Sequence, residues 1–188
     1  MKWAKCNVGA ESETDYGYYF QWGDIVDKSN ADCSWATYKH CNGSGTTLTK
    51  YNTSTDYGKN PDDKTTLDPE DDAATQIMGG DWRMPTKDEC QELIDNTTNE
   101  WITNYKGSGV NGRKFTSKIN GNSIFIPAAG AKEGISVDVV GETTNLWSSS
   151  LNAAFPDCAW YWDVGDDNYT MYNGEWRCSG YTVRGVFK

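Results

Sequence analysis

The sequence predicts an α+β fold, in which strands open the chain, two helices follow and a run of antiparallel strands completes it. Three observations lead to this order: an aromatic segment at residues 16–24, two helix-start signals between residues 68 and 89, and alternating apolar and polar residues with Asn-Gly turns after Trp101. A chain of 188 residues is long enough to bury a core of its own. We therefore expect residues 1–188 to form a single domain.

Composition and charge exclude two classes of partner. The formal net charge is −10, so the phosphate backbone of a nucleic acid would be repelled, and we expect no nucleic-acid partner. No apolar run approaches the roughly 20 residues needed to cross a bilayer, so we expect no membrane insertion. The first residues, up to Cys6, lack the apolar stretch of a signal peptide.

The first half of the chain is predicted to contain one buried strand and one long loop. Residues 16–24 are dominated by Tyr, Phe and Trp and end in Gly-Asp, which is typical of a buried strand closed by a turn. Residues 42–66 are polar and contain several glycines, which indicates a surface loop rather than a linker. His40 has no obvious partner beside this loop, and we expect it on the surface.

The first helix is predicted from its capping residues. Asp68 is the expected N-cap, Pro69 takes the first helical position, and Gly79 follows the last turn. The acids after Pro69 lack the alternating spacing of a calcium loop, so we interpret them as charges that favour the helix start.

The second helix is predicted to start at a capping box. The Thr86 hydroxyl and the Glu89 carboxylate have the required spacing of three residues. An apolar stripe follows, in which Cys90 is expected to be buried, and the helix should end near Asn96.

The alternation after the helices predicts strands over 123–126, 159–164, 169–172 and 181–187. Successive side chains of a strand point to opposite faces. One face should point to the core and carry Trp160, Trp162, Val164 and, from the next strand, Met171. Tyr161 and Asp163 should then look outward beside Thr170 and Tyr172. On this basis, replacing Tyr161, Asp163 and Tyr172 by alanine should leave the melting temperature nearly unchanged.

The chain is poor in catalytic and metal-binding patterns. Six cysteines without a Cys-x-x-Cys pair and a single histidine disfavour a zinc site. Cys33 and Cys41 can close a short loop or stay free. The serines after Trp147 lack a nucleophile elbow and should form hydrogen bonds within a strand or turn. The acids at 163–167 suit a solvated loop better than a glycosidase pair. We therefore expect no catalytic residue, no cofactor and no metal.

The last third of the chain is unusually rich in aromatic residues. Nine of them crowd into residues 147–181, more than a core of this size readily buries. The acids are also concentrated here, because Glu133 to Trp176 contains eight of them and no Lys or Arg. Exposed aromatic side chains mixed with Asp, Ser and Thr are typical of a binding surface.

Six segments extend in order over nearly the whole chain: WAKCNVGA at 3–10, YGYYFQWG at 16–23, GDWRMPT at 80–86, FIPAAG at 125–130, LWSSS at 146–150 and GYTVR at 180–184. Together they resemble the FISUMP, or major paralogous, domain. The resemblance implies a C-type-lectin-like fold with two helices, antiparallel strands and long polar loops. Members include variable proteins of diversity-generating retroelements, in which adenine-directed mutagenesis rewrites a C-terminal segment for ligand binding.

The resemblance places the variable region at residues 151–181, between the Trp-Ser-Ser-Ser motif and Thr-Val-Arg. Asparagine codons rewritten at adenine yield Tyr, Asp, Ser, Thr, Cys, Phe or Gly, and most residues chosen here belong to that set, although Glu175 and Trp176 fall outside its simplest products. Two cysteines are thereby expected on an exposed surface. The expected ligand-binding residues are Asn152, Phe155, Asp157, Cys158, Tyr161, Asp163, Thr170, Tyr172, Glu175, Trp176, Cys178 and Ser179.

The resemblance implies a non-enzymatic protein that recognises a protein or glycan on a cell or virion surface, and it favours a cell-surface, extracellular or virion location. Three alternatives stay open: a calcium-dependent carbohydrate-binding module, a structural adhesin, and a hydrolytic or formylglycine-generating-type enzyme. The reactive cysteine arrangement of the latter enzymes has no counterpart in the chain, and fold alone does not establish activity.

Overall fold

The regular structure of residues 1–187 consists of ten strands, two short α-helices and two single turns of 3-10 helix in the computed structural model. Lys188, the last residue of the expected domain, lies outside the described residues. The strands are β1 Lys2–Asn7, β2 Thr97–Ile102, β3 Gly112–Ser117, β4 Ser123–Pro127, β5 Ala131–Glu133, β6 Ser136–Asp138, β7 Thr143–Leu151, β8 Cys158–Gly165, β9 Tyr169–Trp176 and β10 Arg184–Phe187. The helices are α1 Ala73–Met78 and α2 Lys87–Asp95, and the 3-10 turns are Pro69–Asp71 and Tyr105–Gly107.

The strands form four small antiparallel sheets. Their orders are β1-β10, β2-β3-β4, β5-β6 and β7-β8-β9. The predicted α+β class is therefore confirmed. No helix within residues 1–187 combines the length and the apolar character that a bilayer crossing requires.

The predicted strand at residues 16–24 is wrong as a strand, although its centre is buried as expected. Only Phe20 forms a strand-like bridge, with Tyr181. The segment is held by indole groups: the Nε1 of Trp147 donates to the Phe20 carbonyl at 2.8 Å, and the Nε1 of Trp22 donates to the Ser148 carbonyl at 2.8 Å. The backbone amides of Tyr18, Phe20 and Trp22 also donate to backbone carbonyls, but of three different segments, so no continuous ladder forms and the two indole bonds add to these contacts.

The loop at residues 42–66 is confirmed as a segment without helix or strand, but it is anchored to the core. Tyr51 is completely buried, with 0% of its surface exposed, and belongs to a large apolar cluster. Its ring packs edge-on against Trp22 at 5.2 Å between centroids. The loop therefore covers the core rather than extending from it.

The first helix begins four residues later than predicted. A 3-10 turn occupies Pro69–Asp71, and the N-cap of α1 is Asp72, whose carboxylate accepts from the Thr75 amide at 2.9 Å. Asp68 makes no capping bond, because its carboxylate binds lysine ammonium groups instead. The helix ends before Gly79, as predicted, and Gly79 has the positive φ of 69° that favours glycine.

The second helix is confirmed in its start, its end and its buried cysteine. The Thr86 hydroxyl accepts from the Glu89 amide at 3.3 Å, and the Glu89 carboxylate accepts from the Thr86 amide at 2.9 Å. Cys90 is 2% exposed, and burial raises the pKa of its thiol well above the ordinary value. The helix ends at Asp95, with Asn96 as its C-cap.

The β7-β8-β9 sheet is central, because a core cluster packs on each of its faces. Residues of the first cluster from this sheet and its surroundings include Trp22, Trp147, Leu151, Ala159, Tyr181 and Val183. The second cluster contains Phe115, Ile126, Leu146, Trp162 and Val164, with Leu93 and Ile94 of α2 packed against it. The hairpin that was expected to display the ligand surface is thus supported from below by rigid apolar packing.

Most of the strands predicted after residue 122 are present in the structure. The strands predicted at 123–126, 159–164 and 169–172 are confirmed and extend further, whereas β10 starts only at Arg184. Trp162 and Val164 are buried and Met171 packs on the second cluster, as predicted. Trp160 is only half-buried, because the Lys87 ammonium lies over its ring at 5.2 Å where a core neighbour was expected. Six strands were not predicted: β1, β2, β3, β5, β6 and β7.

Candidate binding face

The hairpin of β8 and β9 places four of the predicted side chains next to one another. Tyr161 pairs with Tyr172, and Asp163 pairs with Thr170, in an antiparallel register. Paired residues of antiparallel strands point to the same side of the sheet at short range. The predicted outward set is therefore confirmed as a group of neighbours on one face.

A bulge extends this group to Glu175. Between Tyr161 and Ala159 on β8, the partner strand advances from Tyr172 to Glu175, so β9 carries one extra residue. The extra residue keeps Glu175 on the side of the sheet that carries Tyr161. We call the surface formed by Tyr161, Asp163, Thr170, Tyr172 and Glu175 the open face.

The aromatic rings of this side form a series that runs from the core to solvent. Trp147 and Tyr181 are 1% and 2% exposed and lie 4.4 Å apart between ring centroids. Tyr161 follows at 5.5 Å from Tyr181 and is half-buried. Tyr172 stacks on Tyr161 at 5.7 Å with an interplanar angle of 24° and is 42% exposed. The exposed ring of Tyr172 is thus held by the half-buried ring of Tyr161 beneath it.

Tyr161 is consequently less exposed than predicted. It packs against the first core cluster while also bordering the open face. The expectation that its replacement leaves the melting temperature unchanged is therefore revised, because removing a half-buried ring deletes packing against Trp147 and Tyr181. Burial, assisted by the charges of Glu175 and Asp163, raises the pKa of the Tyr161 hydroxyl to about 12, so it remains a neutral hydrogen-bond donor.

Asp163 is held in a fixed orientation at the far end of the open face. Its carboxylate accepts from the Thr143 hydroxyl at 2.8 Å and from the Asn168 side-chain amide at 3.0 Å. Beside it lies a cleft of about 570 Å³. Its walls come from Trp101, residues 141–143 and the turn of the β8–β9 hairpin with Asp166 and Asp167. Sequence reasoning did not connect Trp101 to the hairpin, because the two are far apart in the chain and share no motif.

The structure divides the twelve predicted ligand-binding residues into three groups of four. The exposed ones are Phe155, Thr170, Tyr172 and Trp176. The half-buried ones are Asp157, Tyr161, Asp163 and Glu175. The buried ones are Asn152, Cys158, Cys178 and Ser179.

The expectation of two exposed cysteines is wrong. Cys158 and Cys178 are 8% and 6% exposed, and burial raises the pKa of each thiol to about 12. Both thiols therefore stay protonated and are poor nucleophiles at neutral pH. All six cysteines of the chain, including Cys33 and Cys41, are free.

Asn152 and Ser179 are also buried, for reasons of local structure. The Asn152 side chain accepts from the amides of Ala154 and Phe155 at 3.0 and 3.3 Å and donates to the Asn173 carbonyl. It therefore ties the loop at residues 152–157 to β9. The Ser179 hydroxyl donates to Glu175 at 3.3 Å, which braces the carboxylate from below.

Several of the nine aromatic side chains at residues 147–181 are exposed at the surface, as predicted. Of the five aromatic side chains that are exposed among residues 1–187, only Tyr18 lies outside the last third. The other four are Phe155, Tyr169, Tyr172 and Trp176, with exposed fractions of 57%, 37%, 42% and 57%. Exposed apolar side chains concentrated in one segment of the chain, as these are, favour an interaction surface there, although Tyr169 packs on Phe115 on the other side of the sheet.

Arg177 was missed by sequence reasoning, although it lies inside the expected variable region. Its guanidinium is completely buried and donates to the carbonyls of Tyr51, Pro156 and Lys50 at 2.9, 2.8 and 3.0 Å. It also lies over the Trp22 ring at 4.9 Å. One side chain thus fastens the polar loop, the loop at 152–157 and the end of β9 to the core.

His40 is buried, contrary to the expectation of a surface position. It is 6% exposed, and its ring packs edge-on against Tyr51 at 5.3 Å. Burial lowers its pKa from 6.5 to about 4, so the ring is neutral at pH 7. A neutral ring that substrates cannot reach has no evident catalytic use.

One group of carboxylates has the spacing of a metal site. Oxygens of Asp68, Glu70 and Asp71 lie within 4.8 Å of one another. The Lys50 ammonium binds all three, at 2.7, 3.3 and 2.6 Å, and the Lys39 ammonium adds a bond to Asp71 at 2.6 Å. Lysine therefore already neutralises these acids, and the set does not fit a cation.

The serines after Trp147 are structural, as predicted. The Ser148 hydroxyl donates to the Trp160 carbonyl at 2.8 Å, and the Ser149 hydroxyl donates to the Pro85 carbonyl at 3.2 Å. The Ser150 hydroxyl accepts from the Lys87 amide at 3.1 Å, at the start of α2. These bonds join the helix to β7.

A second, larger groove of about 770 Å³ lies between β1, α2 and the β3–β4 hairpin. Trp3, Leu93, Phe115 and Ile124 contribute apolar walls. The groove contains no residue of the expected variable region and no strongly perturbed titratable group, so its size alone does not indicate chemistry.

The chain matches none of the protein-family models, curated proteins or solved structures with which it was compared.

Proposed function

We propose that the protein binds a partner non-enzymatically through the open face, together with the exposed rings of Phe155 and Trp176. The observation that supports this most strongly is the concentration of exposed aromatic side chains at residues 155–176, with Tyr172 stacked on a supported Tyr161. Rigid aromatic anchors surrounded by Asp and Thr are the side chains that dominate protein recognition, because they bury much area at little entropic cost.

The packing of the hairpin supports the same proposal. Trp162 and Val164 alternate with Tyr161 and Asp163 along β8 and are 1% and 0% exposed. The inward residues fix the strand register, so an outward residue can change with little effect on stability. A surface of this kind tolerates variation while the scaffold persists.

We further propose that the fold is C-type-lectin-like and that the chain is a FISUMP-type variable protein with residues 151–181 as its variable region. The six sequence segments that resemble this family support the assignment. The residues suited to variation are then the exposed or half-buried ones except Tyr161, which packs on the first core cluster: Phe155, Asp157, Asp163, Thr170, Tyr172, Glu175 and Trp176. Flanking DNA that carries a near-copy of this region differing at adenines, next to a reverse transcriptase gene, would test the diversification itself.

An enzymatic function is less well supported. Burial keeps the thiols of Cys90, Cys158 and Cys178 protonated and the ring of His40 neutral and inaccessible. We propose a partner on the surface of a cell or virion, either a protein or a glycan.

The test is an array of purified cell-surface proteins and glycans, probed with the labelled protein with and without a calcium chelator. Tyr172→Ala should weaken binding to any hit by more than about fivefold, which corresponds to about 1 kcal/mol. Ile119→Ala is the matched control, because Ile119 is 85% exposed on the turn of a different hairpin. Both variants should keep the wild-type melting temperature.

Three outcomes would contradict the proposal: no hit on the array, equal binding by the two variants, or turnover of an arrayed molecule. Binding to simple sugars that the chelator abolishes would instead establish the calcium-dependent carbohydrate-binding alternative. Self-association without any hit would favour a structural adhesin.

A further inference from the structure

The acids of the last third form no ion pair within residues 1–187, although the buried guanidinium of Arg113 under the hairpin turn offsets part of the charge of Asp166 and Asp167. Between Glu133 and Trp176 the sequence has eight acids and no Lys or Arg. None of the ion pairs among residues 1–187 involves any of these eight, whereas acids elsewhere, such as Asp24, Glu13 and Glu89, are paired. The open face therefore carries a negative charge without an ionic partner.

The basic residues nearest to this region do not reach its surface. Arg113 is 6% exposed and directs its guanidinium to the carbonyls of Gly165 and Asp166, beneath the hairpin turn. Lys132 is 1% exposed and donates to the Ile135 carbonyl at 3.0 Å. Lys87 lies over Trp160, on the opposite face of the sheet. Each cation has a structural partner of its own.

The acids are concentrated at one end of the open face, where the cleft begins. Asp166 and Asp167 are exposed on the hairpin turn, and Asp163 lies beside them with both carboxylate oxygens oriented by Thr143 and Asn168. Trp101 also lines this cleft. A cation that enters the cleft meets three carboxylates, and charge-assisted hydrogen bonds to carboxylates are strong.

We propose that the partner is a protein with a basic surface, which directs Lys or Arg side chains at Asp163, Asp166 and Asp167 while an apolar or aromatic part of it covers Tyr172. This inference rests on the proposed function and names the chemistry of its partner. Charge complementarity favours a basic protein over a neutral glycan, and it acts mainly on the rate of association.

The experiment measures association rates by biolayer interferometry at 50 and 300 mM salt. The probes are two immobilised peptides, one of alternating lysine and glycine and one with glutamate in place of lysine, together with any protein hit from the array. Asp166→Asn/Asp167→Asn is compared with Asp56→Asn/Asp63→Asn. The control removes the same charge from two exposed acids of the polar loop, so it reports the effect of net charge alone.

Wild type should bind the lysine peptide and not the glutamate peptide, with an association rate that falls at least fivefold between the two salt concentrations. Asp166→Asn/Asp167→Asn should slow association at least fivefold at 50 mM salt, whereas the control pair should change it less than twofold. Equal effects of the two pairs, or a protein hit whose association ignores salt, would overturn the inference.

The two experiments distinguish a failure of this inference from a failure of the proposed function. If Tyr172→Ala abolishes binding to an array hit but the aspartate pair has no effect, the aromatic surface binds a partner that is not basic. If neither change affects any binding, the open face is not a binding surface, and both proposals fall.

Discussion

Replacing Arg177 by methionine should destabilise the protein by about 4 kcal/mol. The guanidinium makes three hydrogen bonds to backbone carbonyls and a fourth to the Tyr38 hydroxyl at 2.8 Å; three of the four are buried, and the bond to the Lys50 carbonyl is partly buried. A hydrogen bond to a charged group contributes about 1.5–3 kcal/mol, and a buried acceptor left without a donor costs a similar amount. Methionine fills similar space but supplies no donor.

The magnitude has two limits. The low end of the range for three carbonyl bonds already gives about 4.5 kcal/mol, and removing one member of a buried charged network typically costs about 3–5 kcal/mol. Removing the guanidinium from water on folding costs free energy and so lowers the net stabilisation by Arg177. The Trp22 and Tyr38 rings, at 4.9 and 5.1 Å from the guanidinium, offset part of that cost. Arg177→Lys should reduce the free energy of unfolding by about half as much as Arg177→Met. A lysine ammonium is a single point and cannot reach all the acceptors that the planar guanidinium bonds on its two sides.

Urea unfolding followed by tryptophan fluorescence measures the loss, with Lys114→Met as control. Lys114 is partly exposed and paired only with Glu100 at 3.4 Å, so its replacement should cost less than about 0.5 kcal/mol. A destabilisation below about 1 kcal/mol for Arg177→Met would refute the view that this side chain fastens the two loops to the sheet. An Arg177→Lys variant as stable as wild type would refute the geometric part of the reasoning.

Three further predictions concern pH, packing and capping. Because the folded pKa of His40 is about 4 and the unfolded value is 6.5, the unfolded state binds the proton first, so stability is complete above pH 6.5 and falls by roughly 3 kcal/mol towards pH 4. His40→Gln should remove most of that slope between pH 6.5 and 5, and an unchanged slope would show that the ring is not buried. Trp162→Ala should cost about 3–5 kcal/mol, whereas Tyr172→Ala should cost less than about 1 kcal/mol in thermal unfolding, and equal losses would mean that the two faces of β8 and β9 are not distinct. Thr86→Ala should cost about 1 kcal/mol by removing one half of the capping box, and a loss within 0.2 kcal/mol of zero, in the same assay, would contradict the cap.

Local signals in the sequence were sufficient where a few neighbouring residues decide the structure. The Thr86 box and the alternation of Trp162 with Tyr161 and Asp163 are such cases, since caps and strand faces depend on fixed short spacings. The position of Asp68 shows the limit of that reasoning. The sequence around Asp68 is typical of an N-cap. However, Lys50, which is distant in sequence, binds the Asp68 carboxylate, and Asp72 is the N-cap of α1 instead.

The sequence predicted which residues of the β8–β9 hairpin point outward, but not which other segments pack around them. Alternation identified Thr170 and Tyr172 as outward residues, but the resemblance suggested that Cys158 and Cys178 are exposed, whereas both are buried. The burial of Tyr161 depends on Tyr181, which returns to the sheet from the end of the chain. Contacts of this kind join segments through the tertiary fold, and no local pattern encodes them.

The most direct test of the central claim compares two libraries displayed on phage. One randomises Asp163, Thr170, Tyr172 and Glu175, and the other randomises Leu146, Trp162, Val164 and Met171. The division between an outward binding face and an inward scaffold predicts that most members of the first library stay folded and resist protease, that few retain the wild-type partner, and that some acquire new ones. Members of the second library should mostly be degraded. Equal protease sensitivity of the two libraries, or wild-type binding by most members of the first, would contradict the claim.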